Sequence, residues 1–432
     1  MWTTTRDPAT PPDLSALPHV VVVGGGFAGL AVAKTLANQA VRVTIIDTHN
    51  FHTFLPLLYQ VATAGLEPAD VAYPIRTIFG GARNVRFRHG TVRRVDHQRD
   101  VLTLDDGSEM AFDHLVVATG ATAAFFAIPG ASQFALPLYS LADARHLRNR
   151  LLSSLEAADV RAESGAVPLN YVVVGGGPTG VETSGALAEL IEIVIRRDGL
   201  RIDESLVRVV LVDVAPRLLT AFPHSASTYA AKELTKKGVE IEFGRSVVEV
   251  QEHAIVFADG ERLETQAVIW AAGVTVAGTL ADGLDDVPGP GGRARVGRDL
   301  RLEHRPNVWA VGDAAAIPRG DELCPQLAPV AIQSGHHCGR QILRVLKGET
   351  TEPFHYRNKG IMATIGRNEA VANLPGGLVV KGRLGWLAWL SLHLFYLIGF
   401  RNRLRVLINW TWRYFDWPSG PRLIVADSET VD

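Results

Sequence analysis

Two stretches of this chain are near copies of one another. His19-Val-Val-Val-Val-Gly-Gly-Gly-Phe-Ala-Gly29 and Asn170-Tyr-Val-Val-Val-Gly-Gly-Gly-Pro-Thr-Gly180 repeat the same glycines 151 residues apart. An apolar, β-branched run before Gly-x-Gly-x-x-Gly predicts a parallel strand buried on both faces, then a tight turn, then a helix. The free N–H groups at the start of such a helix suit a pyrophosphate. One motif of this kind is weak. Two, each with its own strand and helix, predict an α/β chain that holds two dinucleotides at once, so that one can reduce the other.

In the first copy, Gly24, Gly26 and Gly29 supply the turn, the close backbone approach and the helix–strand contact, with Phe27 and Ala28 inside the loop. A helix is expected over 30–37 and a second strand over 41–46. That strand runs into Asp47, 18 residues past Gly29, where a carboxylate can hydrogen-bond an adenosine ribose. The second copy has Gly175, Gly177, Pro178, Thr179 and Gly180, a strand over 207–212, and its acid at Asp213, 33 residues past Gly180. The added length predicts a longer helix and loop between Glu189 and Glu204. An acid at the strand end favours the free 2′-hydroxyl of NADH over a 2′-phosphate, and Arg217 nearby weakens that preference without reversing it.

The copies differ two residues after the last glycine, where the first has Ala31 and the second Glu182. We place Glu182 in the first helical turn. A second anion beside a bound pyrophosphate is repelled, so Glu182 is expected to point toward the reacting rings. The repeat continues further on. Leu115-Val-Val-Ala-Thr-Gly-Ala121 and Val268-Ile-Trp-Ala-Ala-Gly-Val274 are strands ending in small-residue turns, which makes Ala118, Thr119, Gly120, Ala272 and Gly273 candidate cofactor contacts. Arg305-Pro-Asn-Val-Trp-Ala-Val-Gly-Asp-Ala314 has no earlier counterpart and ends in Gly312-Asp313.

A chain of 432 residues allows two or three domains. The net charge of −2 gives no sign of a nucleic-acid partner. Cys324 and Cys338 are the only cysteines and form no Cys-x-x-Cys, so neither a disulfide framework nor a dithiol redox centre is expected. Residues 1–18 are polar and Pro-rich and read as a disordered tail, not a targeting segment. His336 and His337 are adjacent; on a helix they diverge by about 100°, so no metal site is expected.

Residues 384–400 form a 17-residue apolar run holding Ser391 and His393, followed by Arg401, Arg403 and Arg405. Five of the eight tryptophans fall between 386 and 417. Trp and Tyr favour the bilayer interface, Arg suits anionic head groups, and the run is short of the ~20 residues of a comfortable span. Residues 384–417 therefore read as an interfacial anchor, with a buried helix and a single span as the alternatives.

Together the motifs resemble the two-dinucleotide-binding-domain flavoprotein superfamily. That resemblance implies two Rossmann-like domains, with FAD on the first copy, NAD(P)H on the second, and Asp313 bonding the ribityl chain or pyrophosphate of FAD. It implies an FAD domain in two parts (19–135 and 291–383), an inserted NADH domain (136–290) and a membrane-associating C-terminus (384–432). Phe54-Leu-Pro-Leu-Leu-Tyr-Gln-Val-Ala-Thr63 and Trp270-Ala-Ala-Gly-Val274 resemble the type II NADH dehydrogenases, the single-subunit NADH:quinone oxidoreductases. In that family an acid matching Glu182 lies near the nicotinamide, and an Ala-Gln-x-Ala-x-Gln motif lines the quinone site. Here the motif reads Ala328-Pro329-Val330-Ala331-Ile332-Gln333, with Pro329 in place of the first Gln. The resemblance implies non-covalent FAD, NADH as substrate, a membrane quinone as acceptor, no proton pumping, and a monotopic seat on the cytoplasmic face of the cell membrane; a homodimer is compatible with it. Glu182 and Gln333 are the candidate catalytic residues. Sulfide:quinone oxidoreductases share the fold but use cysteines near the flavin. A soluble NADH–ferredoxin-type reductase would have no use for the aromatic tail, and a signalling flavoprotein would show slow turnover without quinone.

Overall fold

The computed structural model describes residues 14–162, 168–276, 288–415 and 422–425. Most of the expected N-terminal tail and the last residues of the expected anchor lie outside these. The main elements in chain order are β1 (His19–Val23), α1 (Phe27–Leu36), β2 (Arg42–Asp47), α2 (Leu58–Ala62), α3 (Pro68–Val71), β3 (Val85–His89), β4 (His114–Val117), β5 (Ala135–Pro137), α4 (Leu141–Ala162), β6 (Leu169–Val174), α5 (Pro178–Asp198) and β7 (Val207–Asp213). There follow α6 (His224–Lys236), β8 (Val239–Phe243), β9 (Ala267–Trp270), β10 (Arg301–Leu302), β11 (Arg305–Ala310), α7 (Ala328–Leu346), β12 (Ile361–Gly366), β13 (Glu369–Asn373), β14 (Val379–Lys381), α8 (Gly382–Tyr396) and α9 (Phe400–Phe415).

The chain divides into two compact units. The first comprises residues 1–52, 73–122 and 275–357. Its sheet has the order β10-β11-β4-β1-β2-β3 and is parallel except for the β10–β11 hairpin. Every residue of β1 is buried, as a strand covered on both faces requires. Helix α7 crosses α1 at glycines: a Cβ on Gly335 would sit 2.3 Å from the Ala28 carbonyl oxygen, and one on Gly339 would sit 2.7 Å from Thr35 Cβ. These absent side chains let the two helices touch backbone to backbone.

The second unit comprises residues 53–72, 123–274 and 358–432. Its sheet, β5-β9-β6-β7-β8, is wholly parallel. Val172, Val174, Val210, Val212, Phe257 and Trp270 fill the core on one face. Helix α5 has 21 residues against 10 in α1, so much of the extra length of the second copy is helix, as its spacing predicts. A separate antiparallel sheet, β12-β13-β14, packs against α5 and α8.

The C-terminal helices combine buried and exposed apolar residues. Trp389 and Gly385 of α8 are buried, and a Cβ on Gly385 would lie 2.8 Å from the Ala370 carbonyl oxygen on β13. These two residues of α8 therefore join the core of the second unit, while Leu384, Leu387, Phe395 and Tyr396 remain exposed. Among the described residues no helix is long and apolar enough to cross a membrane.

Candidate active site

Both glycine loops close in the same way. Gly24 has φ +108°, and a Cβ there would lie 2.2 Å from the Ala118 carbonyl oxygen; one on Gly29 would lie 1.9 Å from the Gly24 carbonyl oxygen. In the second unit Gly175 has φ +111°, with a Cβ 2.7 Å from Ala271 O, and a Gly180 Cβ would lie 1.8 Å from Gly175 O. These four glycines let each strand-to-helix turn fold onto itself. Gly26 and Gly177 differ: a Cβ on either meets nothing within 4 Å. Protein packing does not require glycine there, so the open space is available to a ligand's backbone-hugging approach.

The two acids also do matching work. Asp47 Oδ2 accepts from Gly25 N at 2.5 Å and its Oδ1 from His49 N at 2.7 Å. Asp213 accepts from Gly176 N through Oδ2 and from Ala215 N at 2.7 Å through Oδ1. Each carboxylate thus ties the loop to the end of the next strand and keeps lone pairs for a ribose. Arg217 donates to the carbonyls of Leu219, Thr220 and Phe222 (3.3, 2.7 and 3.1 Å). Its guanidinium is thus engaged by the following turn.

In the first unit the remaining predicted cofactor contacts gather at the strand ends. Gly312 has φ +65° and its N–H donates to Ser334 Oγ at 3.0 Å; a Cβ on it would press on Ala28 Cβ at 2.9 Å. Asp313 Oδ1 and Thr119 Oγ1 are buried without a hydrogen-bond partner. A buried orphaned carboxylate costs stability unless something bonds it. Burial raises Asp313 to about 6, and Arg293 offsets part of that rise. Two unpartnered polar atoms, the open turn at Gly120 (φ +75°) and the open loop at Gly26 are what a dinucleotide with a polar linker needs, so the residues fit FAD. Asp313→Ala should weaken FAD retention by about 10- to 100-fold, the worth of a hydrogen bond to a charged group. Flavin absorbance per protein after extensive dialysis measures it.

His52 carries no mark in the sequence. Its Nδ1 meets the Gly25 carbonyl oxygen at 3.0 Å, its ring stands edge-on to Phe27, and burial lowers it to about 4, so it is neutral. Its buried Nε2 has no partner. Only the fold puts this ring under the loop; no spacing rule singles it out.

Gln333 lies in the second turn of α7, and both ends of its amide bond the Arg357 backbone, at 3.0 Å each. Ala331 packs beside Gly312, and Pro329 sits at the start of the helix, where its missing N–H costs nothing. Both cysteines are buried free thiols whose ionisation burial disfavours. Such thiols are poor carriers of sulfur. His336 and His337 have separate partners, Thr35 Oγ1 and the Glu352 carbonyl oxygen.

In the second unit, Gly273 (φ +71°) faces Phe126, whose ring a Cβ would meet at 2.4 Å, and Ala272 is partly buried beside it. Glu182 corrects one expectation. Helix α5 starts at Pro178, so Glu182 is its fifth residue and lies past the first turn. The macrodipole contributes little at that depth. Its surroundings decide its state instead. Glu182 Oε1 accepts from Thr364 N at 3.2 Å. Burial pushes its carboxyl up to about 8; the Thr364 N–H, and the Trp389 indole N–H nearby but outside ordinary hydrogen-bond geometry, pull it partly back. Desolvation therefore wins, and at neutral pH Glu182 is protonated and able to donate.

Helix α5 is held against β12 at three points on one face. Glu182 bonds Thr364 N, a Cβ on Gly185 would lie 2.5 Å from Ile365 O, and Glu189 Oε1 accepts from Arg367 N at 2.6 Å and from Lys237 Nζ at 2.6 Å. A cleft of about 130 Å³ opens beside this face, lined by Tyr59, Gln60, Glu189, Thr364, Trp389 and Trp410 among others.

This is the architecture of a protein that seats two dinucleotides, each on its own parallel sheet. A family model for pyridine nucleotide-disulphide oxidoreductases matches residues 18–335, and one for the NDH2 C-terminal domain matches residues 358–416. The chain is 36% identical over 426 residues to the type II NADH:quinone oxidoreductase Ndh of Mycobacterium tuberculosis, covering 95% of this chain and 91% of that one. It is 37% identical over 409 residues to NdhA of the same organism, covering 91% and 86%. Its fold is similar to the solved structure of NDH2 from Plasmodium falciparum in complex with NADH, with a TM-score of 0.84 at 19% identity over 94% of this chain and 99% of that one. The chain belongs to the type II NADH:quinone oxidoreductase family.

Proposed function

We propose that the second unit binds NADH, the first binds FAD, and electrons leave to a quinone dissolved in the membrane, without proton pumping. The observation that carries this is the same loop-and-acid arrangement built twice, with an ionisable side chain, Glu182, on only one copy. FAD, when bound, supplies the two-electron chemistry that accepts hydride and returns electrons singly or in pairs. The chain's part is placement. Gly24, Gly26, Phe27, Ala28, Gly29, Asp47, Ala118, Thr119, Gly120, Gly312 and Asp313 hold FAD; Gly175, Gly177, Pro178, Thr179, Gly180, Asp213, Ala272 and Gly273 hold NADH. Proximity on this scale is worth several kcal/mol of barrier without acid–base help. Glu182, neutral near pH 7, holds a proton at its carboxyl for the acceptor's reduction. Gln333 works through the Arg357 backbone and not by direct contact, and with Ala331 and Pro329 it shapes the wall proposed for the quinone.

The assay that tests this is NADH oxidation by purified protein with and without a short-chain quinone, beside sulfide as donor. Quinone-dependent NADH oxidation is expected; sulfide-dependent quinone reduction would instead favour the sulfide:quinone reading.

We further propose that α8 and α9 seat the protein on the cytoplasmic face of the cell membrane. Support comes from the exposed Leu384, Leu387, Phe395, Leu404, Leu407 and Ile408, beside the exposed Arg383 and Arg405. Removing α8 would also remove Trp389 from the core, so a truncation cannot separate anchoring from folding. Leu387→Asp with Leu407→Asp should instead lower vesicle binding by 10-fold or more, each lost apolar contact being worth ~1.5 kcal/mol or more. NADH oxidation with a water-soluble acceptor should persist. Sedimentation with anionic vesicles decides it.

A further inference from the structure

Helix α9 reaches Thr364, whose backbone N–H bonds Glu182, through a line of side-chain hydrogen bonds within the second unit. Trp410 Nε1 donates to Gln60 Oε1 at 3.0 Å, and Gln60 Nε2 donates to Tyr59 OH at 2.9 Å. Tyr59 OH lies 3.0 Å from Thr364 Oγ1, and Thr364 N donates to Glu182 Oε1. Since the Tyr59 oxygen already accepts from Gln60, its own proton is free for Thr364 Oγ1, and the bond to Glu182 is made separately by the Thr364 backbone N–H. Tyr59 and Thr364 are buried. Trp389 stands edge-on to Tyr59 and tilted against Trp410, so the line is packed from the side.

The inner face of α9 is otherwise polar and engaged. Asn409 Nδ2 donates to Asp70 Oδ2 at 3.0 Å, Arg405 lies 3.6 Å from Asp70 Oδ1, and Val406 is fully buried between them. Its outer face carries the exposed Leu404, Leu407 and Ile408. One helix therefore offers apolar side chains to its surroundings on one side and on the other is tied by hydrogen bonds to Thr364, the residue that bonds Glu182.

We propose that Trp410, Gln60 and Tyr59 are positioning residues that carry the seating of α9 on a lipid surface to Glu182. The inference rests on the reading of Glu182 as the acid that serves the acceptor. The line fixes the Thr364 side chain and with it the residue whose N–H donates to Glu182, and a donor held on a carboxyl favours its ionised form. Lipid contact that holds α9 down keeps the line closed; loosening of α9 opens it at the Trp410–Gln60 link. The ionisable groups facing this cluster are Tyr59 from α2 and Glu189, two turns along α5 and paired with Lys237 of α6; α8 contributes Trp389 with His393 stacked on it, which burial keeps neutral. Burial holds Tyr59 and His393 uncharged near neutral pH, and Glu182 is the group followed below.

The test follows Glu182 directly, by the carboxyl band in infrared difference spectra of holoenzyme against Glu182→Gln, and in parallel by the pH–rate profile with a water-soluble quinone. Both are measured with and without vesicles of anionic phospholipid. In the wild type, vesicles should lower the Glu182 midpoint by roughly 0.2–0.6 on the pH scale, a fraction of the worth of a hydrogen bond to a charged group. Trp410→Phe should abolish the vesicle-induced change and leave the midpoint high, while vesicle sedimentation and the KM for NADH stay unchanged. Tyr59→Phe, which keeps the ring and removes the interior link, should do the same. A vesicle-induced change that survives in both variants, or none in the wild type, overturns the inference while Glu182 keeps its role. A Glu182→Gln enzyme with the wild-type pH–rate profile overturns the reading of Glu182 and the inference with it.

Discussion

Gly180→Ala will lose NADH oxidation while still purifying with FAD. A Cβ at this position falls 1.8 Å from the Gly175 carbonyl oxygen, so the turn between β6 and α5 must open. The atom it strikes is backbone, and no rotamer change relieves it. Opening moves the helix N-terminus that should receive the pyrophosphate and the whole face bearing Glu182, Gly185 and Glu189. A displacement near 1 Å at a positioning element costs on the order of 100-fold in rate. The first loop lies on another sheet with its own glycines, so flavin content should hold. Gly177→Ala is the paired control. Its Cβ meets nothing within 4 Å, so the variant should melt like the wild type. A raised KM for NADH in Gly177→Ala then reports the ligand's own approach. Normal NADH kinetics in Gly180→Ala would remove the nucleotide from this loop.

Glu182→Gln will lose the alkaline limb of quinone reduction, the fall in rate as pH rises through about 8, and gain stability at alkaline pH. The folded carboxyl sits near 8, above its ordinary value of 4.5. Between those values the folded state binds more protons than the unfolded state, so stability falls as pH rises through that window. Each pH unit between the two values is worth about 1.4 kcal/mol, and because part of the side chain meets solvent the whole effect is on the order of 2–3 kcal/mol. The glutamine cannot ionise. Its melting temperature should therefore vary less between pH 5 and 8 than the wild type's, and exceed it at pH 8.5. Steady-state turnover with quinone should fall by about 100-fold, the usual worth of a positioned proton donor. FAD content should be unchanged. Parallel melting curves in the two proteins at every pH would place Glu182 in water and remove its raised carboxyl.

The twin loops are legible in the sequence because everything that makes them is local. Val20–Val23 and Val172–Val174 announce buried strands, the glycines announce turns, and Asp47 and Asp213 follow at strand ends; no distant residue is needed to recognise them. The length of α5 is legible for the same reason. Glu182 is legible as an odd carboxylate after a glycine loop, but its place in the helix is not, because Pro178 starts α5 earlier than the glycine spacing suggests. Its environment is not legible at all. Tyr59 lies more than about a hundred residues before Glu182, and Thr364, Trp389 and Trp410 about two hundred after it, and only the packing of β12, α2, α8 and α9 around α5 brings them together. Hydropathy along the C-terminal run counts apolar residues without knowing which face they take. In α8 that count mixes Trp389, which is core, with Leu384, Leu387 and Phe395, which are exposed. Gln333 illustrates the same limit: the motif locates the residue, and only the fold shows both ends of its amide spent on Arg357.

The central claim is that one bound dinucleotide reduces the other and that the electrons then pass to quinone. An anaerobic titration of the purified holoenzyme tests it most directly. One equivalent of NADH should bleach the flavin absorption, and one equivalent of a short-chain quinone should then restore it. A flavin that stays oxidised under excess NADH, or one that NADH reduces but quinone fails to reoxidise, would contradict the account.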